Sequence, residues 1–309
     1  MQINTLLQTV TVLVLLMLVG YTGAKKGIFT PQATKAMSAL VFNVFLASSS
    51  FSSICKDVPE MSGARLAHIL LVLSIAIILP YFIGSVSSRI FFPRSPARPT
   101  AELCMSVMNT LMFGLPIVQQ VYGGASVMYM GLSSVAFNLM LNTVSVWRLL
   151  RSRGGEAKVS IKPRDILTPV LIATLLGLIF LLAKLPVPAL ATRFLDATAS
   201  ATLPMSMIVV GATMGSGNLM ETLKDRRVYL VCLVRLIVAP VLAWLLLSFI
   251  TTDPLLLRTA VVIAGCPCGV VVTVLSVQYE HDALFASRCV MASTLLSVIT
   301  LPIFIILMG

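Results

Sequence analysis

Apolar residues fill this chain in long stretches divided by short polar loops. Taking about 20 apolar residues per membrane crossing, ten spans are expected near residues 5–24, 33–54, 66–89, 102–122, 125–149, 165–184, 190–217, 228–250, 257–279 and 284–308. Two of them carry a helix-breaking Gly-x-Pro in mid-segment: Gly114-Leu115-Pro116 in the fourth and Gly265-Cys266-Pro267 in the ninth. Proline removes a backbone donor and clashes with the preceding turn, so each segment is expected to split into two half-helices. Unpaired peptide groups at membrane depth are tolerated only where they line a cavity or are buried in protein. A matched pair of broken spans therefore points to a carrier's substrate site.

Composition agrees with the pattern. The 309 residues are 58% hydrophobic and 11% charged, with a mean hydropathy of +1.00, too apolar for a water-soluble domain. The first apolar stretch, Leu6 to Tyr21, has no basic leader and no small-residue cleavage pattern, so it is read as a retained span. The formal net charge of +11 sits in short loops without aromatic interleaving, which argues for topology and against nucleic acid. On a ten-span path one set of loops carries sixteen Lys and Arg residues, among them Lys25, Arg89, Arg94, Arg98, Arg148, Arg151 and Arg227, against five on the other side. That asymmetry predicts both termini outside.

The only long charged stretch, Arg151 to Asp165, divides the chain into two sets of five spans, with a cytoplasmic linker at 151–164 between repeats at 1–150 and 165–309. Landmarks recur across the divide: Gly20 with Gly177, Pro31 with Pro188, Pro80 with Pro240, Gly114 and Pro116 with Gly265 and Pro267, Tyr122 with Tyr279. An odd number of spans per copy makes this an inverted repeat, a common carrier architecture.

Several residue types at mid-depth could meet a ligand. A half-helix beginning near each proline would aim free N–H groups into the crossing and favour an anion. Asn109, two turns before the first Gly-x-Pro, and Asn43 in the second span can present amide donors to a carboxylate, or simply tie spans together. Asn138 and Asn142, a turn apart, are weaker candidates and fit packing as well. Arg235 is the one basic residue well inside a span; it either snorkels to the interface or supplies a countercharge to substrate or to a broken-helix carbonyl. Asp196 invites a coupling-ion role, but Arg193 one turn earlier offers an ordinary ion pair.

Cys266-Pro267-Cys268 resembles the thiolate motif of soft-metal pumps, yet the chain has no phosphate loop, no Cys/His-rich tract and only scattered methionines. The reading preferred is small residues that let two helices cross closely, together with Gly265 and Gly269 and with no bound metal. The six cysteines imply no disulfide framework. No nucleophile–base arrangement or nucleotide motif suggests an enzyme or primary pump, and no cofactor is expected.

Gly27-Ile28-Phe29-Thr30-Pro31, Leu40 to Leu46, Asn109 to Pro116, Arg235-Leu236 with Pro240, and Tyr279 to Ser287 leading into Leu295 to Pro302 occur in an order that resembles the auxin efflux carrier family in its short bacterial form, which includes malate and malonate permeases. The resemblance runs end to end. It implies an all-α membrane protein of ten helices in two inverted repeats, with the crossed-helix fold of bile acid symporters and sodium/proton antiporters. Helices 1, 2, 6 and 7 would be a scaffold, and helices 3–5 and 8–10 a transport domain that moves as an elevator, in a homodimer. Two departures stand out: Ala47 where proline is common, and Cys268-Gly269-Val270-Val271-Val272 where the family has a small-residue and asparagine run.

The expectation is a secondary carrier in the bacterial inner membrane that exports a small organic anion, a carboxylate above all. Its site would be lined by Asn109, Gly114, Leu115, Pro116, Gly265, Cys266, Pro267, Cys268 and Gly269, supported by Asn43 and Arg235. A soft-metal transporter using Cys266 and Cys268, or a membrane sensor without transport, are the alternatives.

Overall fold

A computed structural model describes residues 3–57, 62–152 and 167–308. Every regular element among them is helical, apart from one isolated antiparallel bridge between Met108 and Cys268. In chain order the α-helices are α1 (Ile3–Lys25), α2 (Pro31–Leu40), α3 (Leu46–Asp57), α4 (Gly63–Phe91), α5 (Arg98–Ser106), α6 (Leu115–Tyr122), α7 (Gly124–Met140), α8 (Val146–Ser152), α9 (Pro169–Leu182), α10 (Ala189–Ser200), α11 (Thr202–Gly215), α12 (Leu219–Lys224), α13 (Arg226–Leu233), α14 (Ala239–Ser248), α15 (Pro254–Gly265), α16 (Val271–Gln278) and α17 (Ala283–Leu307). Among the described residues, six helical runs are long and apolar enough to cross a membrane, and shorter apolar helices accompany them. The linker expected at 151–164 lies, from residue 153 onward, outside the described residues.

Four π turns interrupt these helices: Val41–Phe45, Thr110–Gly114, Leu141–Ser145 and Val234–Val238. Two of them end two residues before a proline, Pro116 and Pro240. A π turn inserts one extra residue, which shifts the hydrogen-bond register where proline lacks its donor and relieves the ring's clash with the preceding turn. Each π turn also holds a residue singled out from sequence: Asn43, Gly114, Asn142 and Arg235.

The chain clusters into two compact units. The first comprises Met1–Leu71, Leu111–Val135 and Leu167–Ser216. Here α1 packs along α11, and a Cβ at Gly20 or Gly211 would run into the backbone of Ile208 or Met17. Small residues thus let these two backbones touch, the usual means of helix association where both solvent and side chains are apolar. Polar pairs tie the remaining helices of this unit: Ser50 Oγ to Thr174 Oγ1 at 2.7 Å, Ser52 Oγ to Asp196 Oδ1 at 2.8 Å, and Thr202 Oγ1 to the Phe45 carbonyl at 2.9 Å.

The second unit comprises Val72–Thr110, Ala136–Ile166 and Gly217–Gly309. Its interior includes Tyr81, Leu103, Met105, Phe285 and the whole side chain of Arg235. Large apolar side chains such as Leu15, Phe82, Ile90 and Leu190 stand exposed along the long helices, as expected for surfaces that meet lipid rather than water.

Candidate functional site

Two interruptions meet in the second unit. The first is not where Gly-x-Pro placed it. Helix α5 stops at Ser106, Val107 turns extended (φ −88°, ψ 124°), and helical structure resumes at Thr110. Gly114, Leu115 and Pro116 instead belong to a continuous run from the π turn Thr110–Gly114 into α6, with Gly114 itself helical (φ −71°, ψ −47°). They fall in the first unit, as does Asn43. The reason is the π turn: it accommodates Pro116 without breaking the helix, so the gap opens at Val107–Asn109, where the backbone has another partner.

That partner is the second interruption, which lies where the sequence placed it. Helix α15 ends at Gly265 and α16 begins at Val271, leaving Cys266 to Val270 outside regular helix. Asn109 N–H donates to the Pro267 carbonyl at 2.8 Å, and Gly269 N–H donates to the Val107 carbonyl at 3.0 Å. Met108 and Cys268 face each other between these two bonds. The breaks satisfy each other as a minimal antiparallel ladder, which answers the requirement that bare peptide groups not be left unpaired at membrane depth. Cys268 N–H is taken by Ser293 Oγ at 3.0 Å. The N–H groups of Asn109, Cys268 and Gly269 therefore hold the crossing together instead of standing free for an anion.

Close approach explains Gly269. A Cβ there would lie 3.1 Å from the Met108 carbonyl oxygen and 3.2 Å from Val107 Cγ1. Gly265 is nearly as tight, 3.1 Å from Leu301 Cδ2.

Helices α5 and α15 both end at the crossing, so two sets of unsatisfied carbonyls and two negative dipole ends converge there. Arg235 meets them. Its Nε donates to the Cys266 carbonyl at 2.8 Å, Nη2 to Ala264 at 2.8 Å and Nη1 to Met105 at 3.2 Å. The residue is 0% exposed, so it does not snorkel. Its planar fork spans three carbonyls where two helices end, which a lysine could not reproduce.

Asn109 is 8% exposed, and its Nδ2 makes no hydrogen bond although its main chain is anchored to Pro267. A buried amide donor left unpaired costs about 1–3 kcal/mol, and in a native protein such a group calls for an explanation. Cys266 and Cys268 are fully buried free thiols. Among the described residues no three His, Cys, Asp or Glu side chains are grouped to hold a metal ion.

Asn142 Nδ2 donates to the Asn138 carbonyl one turn back at 3.0 Å, and Asn138 is buried in the second unit. Asp196, in the first unit, accepts from Ser52. Asn43 is exposed within its π turn. Sequence reasoning missed Met105, Val107, Met108 and Ser293. The first three carry no glycine or proline to mark a break, whereas Ser293, a hydroxyl deep in an apolar run, was a signal that could have been followed.

The sequence matches the membrane transport protein family over residues 5–165 and 158–305. The chain belongs to that family, the auxin efflux carriers that its motifs resemble. It is 25% identical over 303 residues to an uncharacterized transporter of Methanothermobacter thermautotrophicus, covering 96% of each chain. An uncharacterized transporter of Methanocaldococcus jannaschii is 21% identical over 305 residues, 96% of this chain and 97% of that one. The uncharacterized transporter YfdV of Escherichia coli K12 is 22% identical over 211 residues, 66% and 67% of the two chains. The protein is thus an integral membrane transporter and not an enzyme.

Proposed function

We propose that this transporter is a secondary carrier for a small organic anion, a mono- or dicarboxylate, bound against the crossing formed by Val107–Asn109 and Cys266–Gly269. The observation that carries this reading is the buried Asn109 Nδ2, without a partner at a crossing where the N–H groups of Asn109, Cys268 and Gly269 are already engaged. A carboxylate oxygen is the acceptor that such a donor lacks. The Arg235 charge, held against three carbonyls, offsets the negative helix ends that would otherwise repel an anion.

In this reading the ten helical segments cross the bacterial inner membrane with both termini outside, as the loop charges favour. The second unit would move relative to a scaffold built on the first in a homodimer, giving alternating access. The described helices place no acidic side chain at the crossing, which favours uniport driven by potential. An inside-negative potential would drive anion export by about 2.3 kcal/mol per charge per 100 mV, nearly a fiftyfold gradient.

The test is flux of labelled carboxylates from proteoliposomes under an imposed potential, with and without sodium or pH gradients. Flux that follows the potential supports the reading. Flux strictly dependent on either gradient refutes uniport, and loss of flux on replacing Cys266 and Cys268 by serine would transfer the case to a soft-metal or thiol-dependent carrier.

A further inference from the structure

The second unit holds a pocket of about 660 Å³ that shares no lining residue with the crossing. Arg89 from α4, Arg94 and Arg98 from the following loop and the start of α5, and Arg148 and Arg151 from α8 line it. Among the described residues Glu102 is the single carboxylate in the wall, and it is already paired with Arg148 at 2.9 Å. Four guanidiniums are left without a carboxylate among the described lining residues. Their summed positive potential draws an anion into the pocket.

Two further features sharpen the chemistry. Helix α5 begins in this wall, with Arg98 and Pro99 as its first residues, so the positive end of its dipole faces the same region. Pro93, Pro96 and Pro99 stiffen the loop that presents Arg94 and Arg98, so little ordering is left to be done on binding. Arginine forks in number, with a helix N-terminus, match phosphate oxygens better than a lone carboxylate.

The surroundings point to the source of that phosphate. Val86, Ile90 and Phe91 stand exposed on the same helix as Arg89, and Trp147 in the pocket wall is 40% exposed with Arg151 stacked on it at 5.0 Å. Basic residues, an interfacial tryptophan and exposed aliphatic surface occur together at the headgroup level of a bilayer. We propose that this pocket is a phosphate-ester site whose occupant is the headgroup of an anionic phospholipid. It rests on the carrier reading only for the leaflet, which the proposed topology makes cytoplasmic.

The experiment uses the full-length protein in mild detergent. Native mass spectrometry counts retained phosphatidylglycerol against phosphatidylcholine, for wild type and for the double variant Arg94→Ala/Arg98→Ala, while thermal unfolding is followed with added pyrophosphate. The expected result is selective retention of phosphatidylglycerol, weakened by salt and reduced about fivefold for each arginine removed. Stabilisation by pyrophosphate without lipid selectivity would keep the phosphate chemistry and reject the lipid source. Equal retention of both lipids together with no response of wild type to pyrophosphate overturns the proposal, a result that does not depend on whether the variant folds. None of these readouts involves flux, so a failed transport assay leaves this test intact.

Discussion

Arg235 Nε donates to the Cys266 carbonyl at 2.8 Å, in the middle of an apolar helix and wholly out of contact with solvent. With its other two nitrogens on Ala264 and Met105, the guanidinium closes the ends of two helices that stop short. Removing one partner of a buried charge arrangement is far costlier than never having built it, because the other groups are left unpaired. Arg235→Met should therefore destabilise the protein by about 3–5 kcal/mol. Arg235→Lys should fall between, since it keeps the charge and loses the fork. Thermal unfolding in detergent ranks the three.

Asn109 presents the opposite balance. Its Nδ2 has no partner within the protein, so Asn109→Leu is expected to raise the unfolding temperature while lowering anion flux about 10- to 100-fold, the value of a hydrogen bond to a charged group. Stability gained and activity lost in the same variant is the signature of a functional site. A variant that loses both would make Asn109 a packing residue.

Gly269→Ala puts a Cβ 3.1 Å from the Met108 carbonyl oxygen, and neither backbone segment can yield without losing the reciprocal bonds beside it. The expected cost is about 1–3 kcal/mol, read as a lowered unfolding temperature. A serine at Cys266 or Cys268 makes no such demand, and the double variant should keep much of its flux.

At the polar edge of the second unit, Arg227 holds the Asp225 carboxyl below its ordinary value of 3.8, chiefly through its paired hydrogen bonds, and Arg288 adds to the effect. A carboxyl depressed in the folded state stabilises fully above its unfolded pKa and loses that contribution as pH falls through the folded one. Unfolding temperature should thus decline below about pH 4, and Asp225→Asn should flatten that part of the profile.

The apolar segments and the break at Gly265-Cys266-Pro267 were legible in the sequence because length, hydropathy and proline act locally. The break at Val107–Asn109 was not, because nothing at those positions ends a helix on its own: the segment is extended because Pro267 and Gly269 supply its hydrogen bonds from across the crossing. Gly114-Leu115-Pro116 misled for the converse reason, a π turn having absorbed the proline. Arg235 could be singled out from sequence as an oddity, but choosing between interface, substrate and carbonyl required knowing that two helix ends meet around it.

The central claim is that a small organic anion binds at this crossing through the Asn109 amide. Proteoliposomes loaded with labelled mono- and dicarboxylates, and given an imposed potential, test it most directly when wild type is compared with Asn109→Leu. Potential-driven flux of at least one carboxylate, lost in the variant while the variant unfolds at the same or a higher temperature, is the predicted result. No flux of any carboxylate from wild type, or equal flux from both proteins, would contradict it.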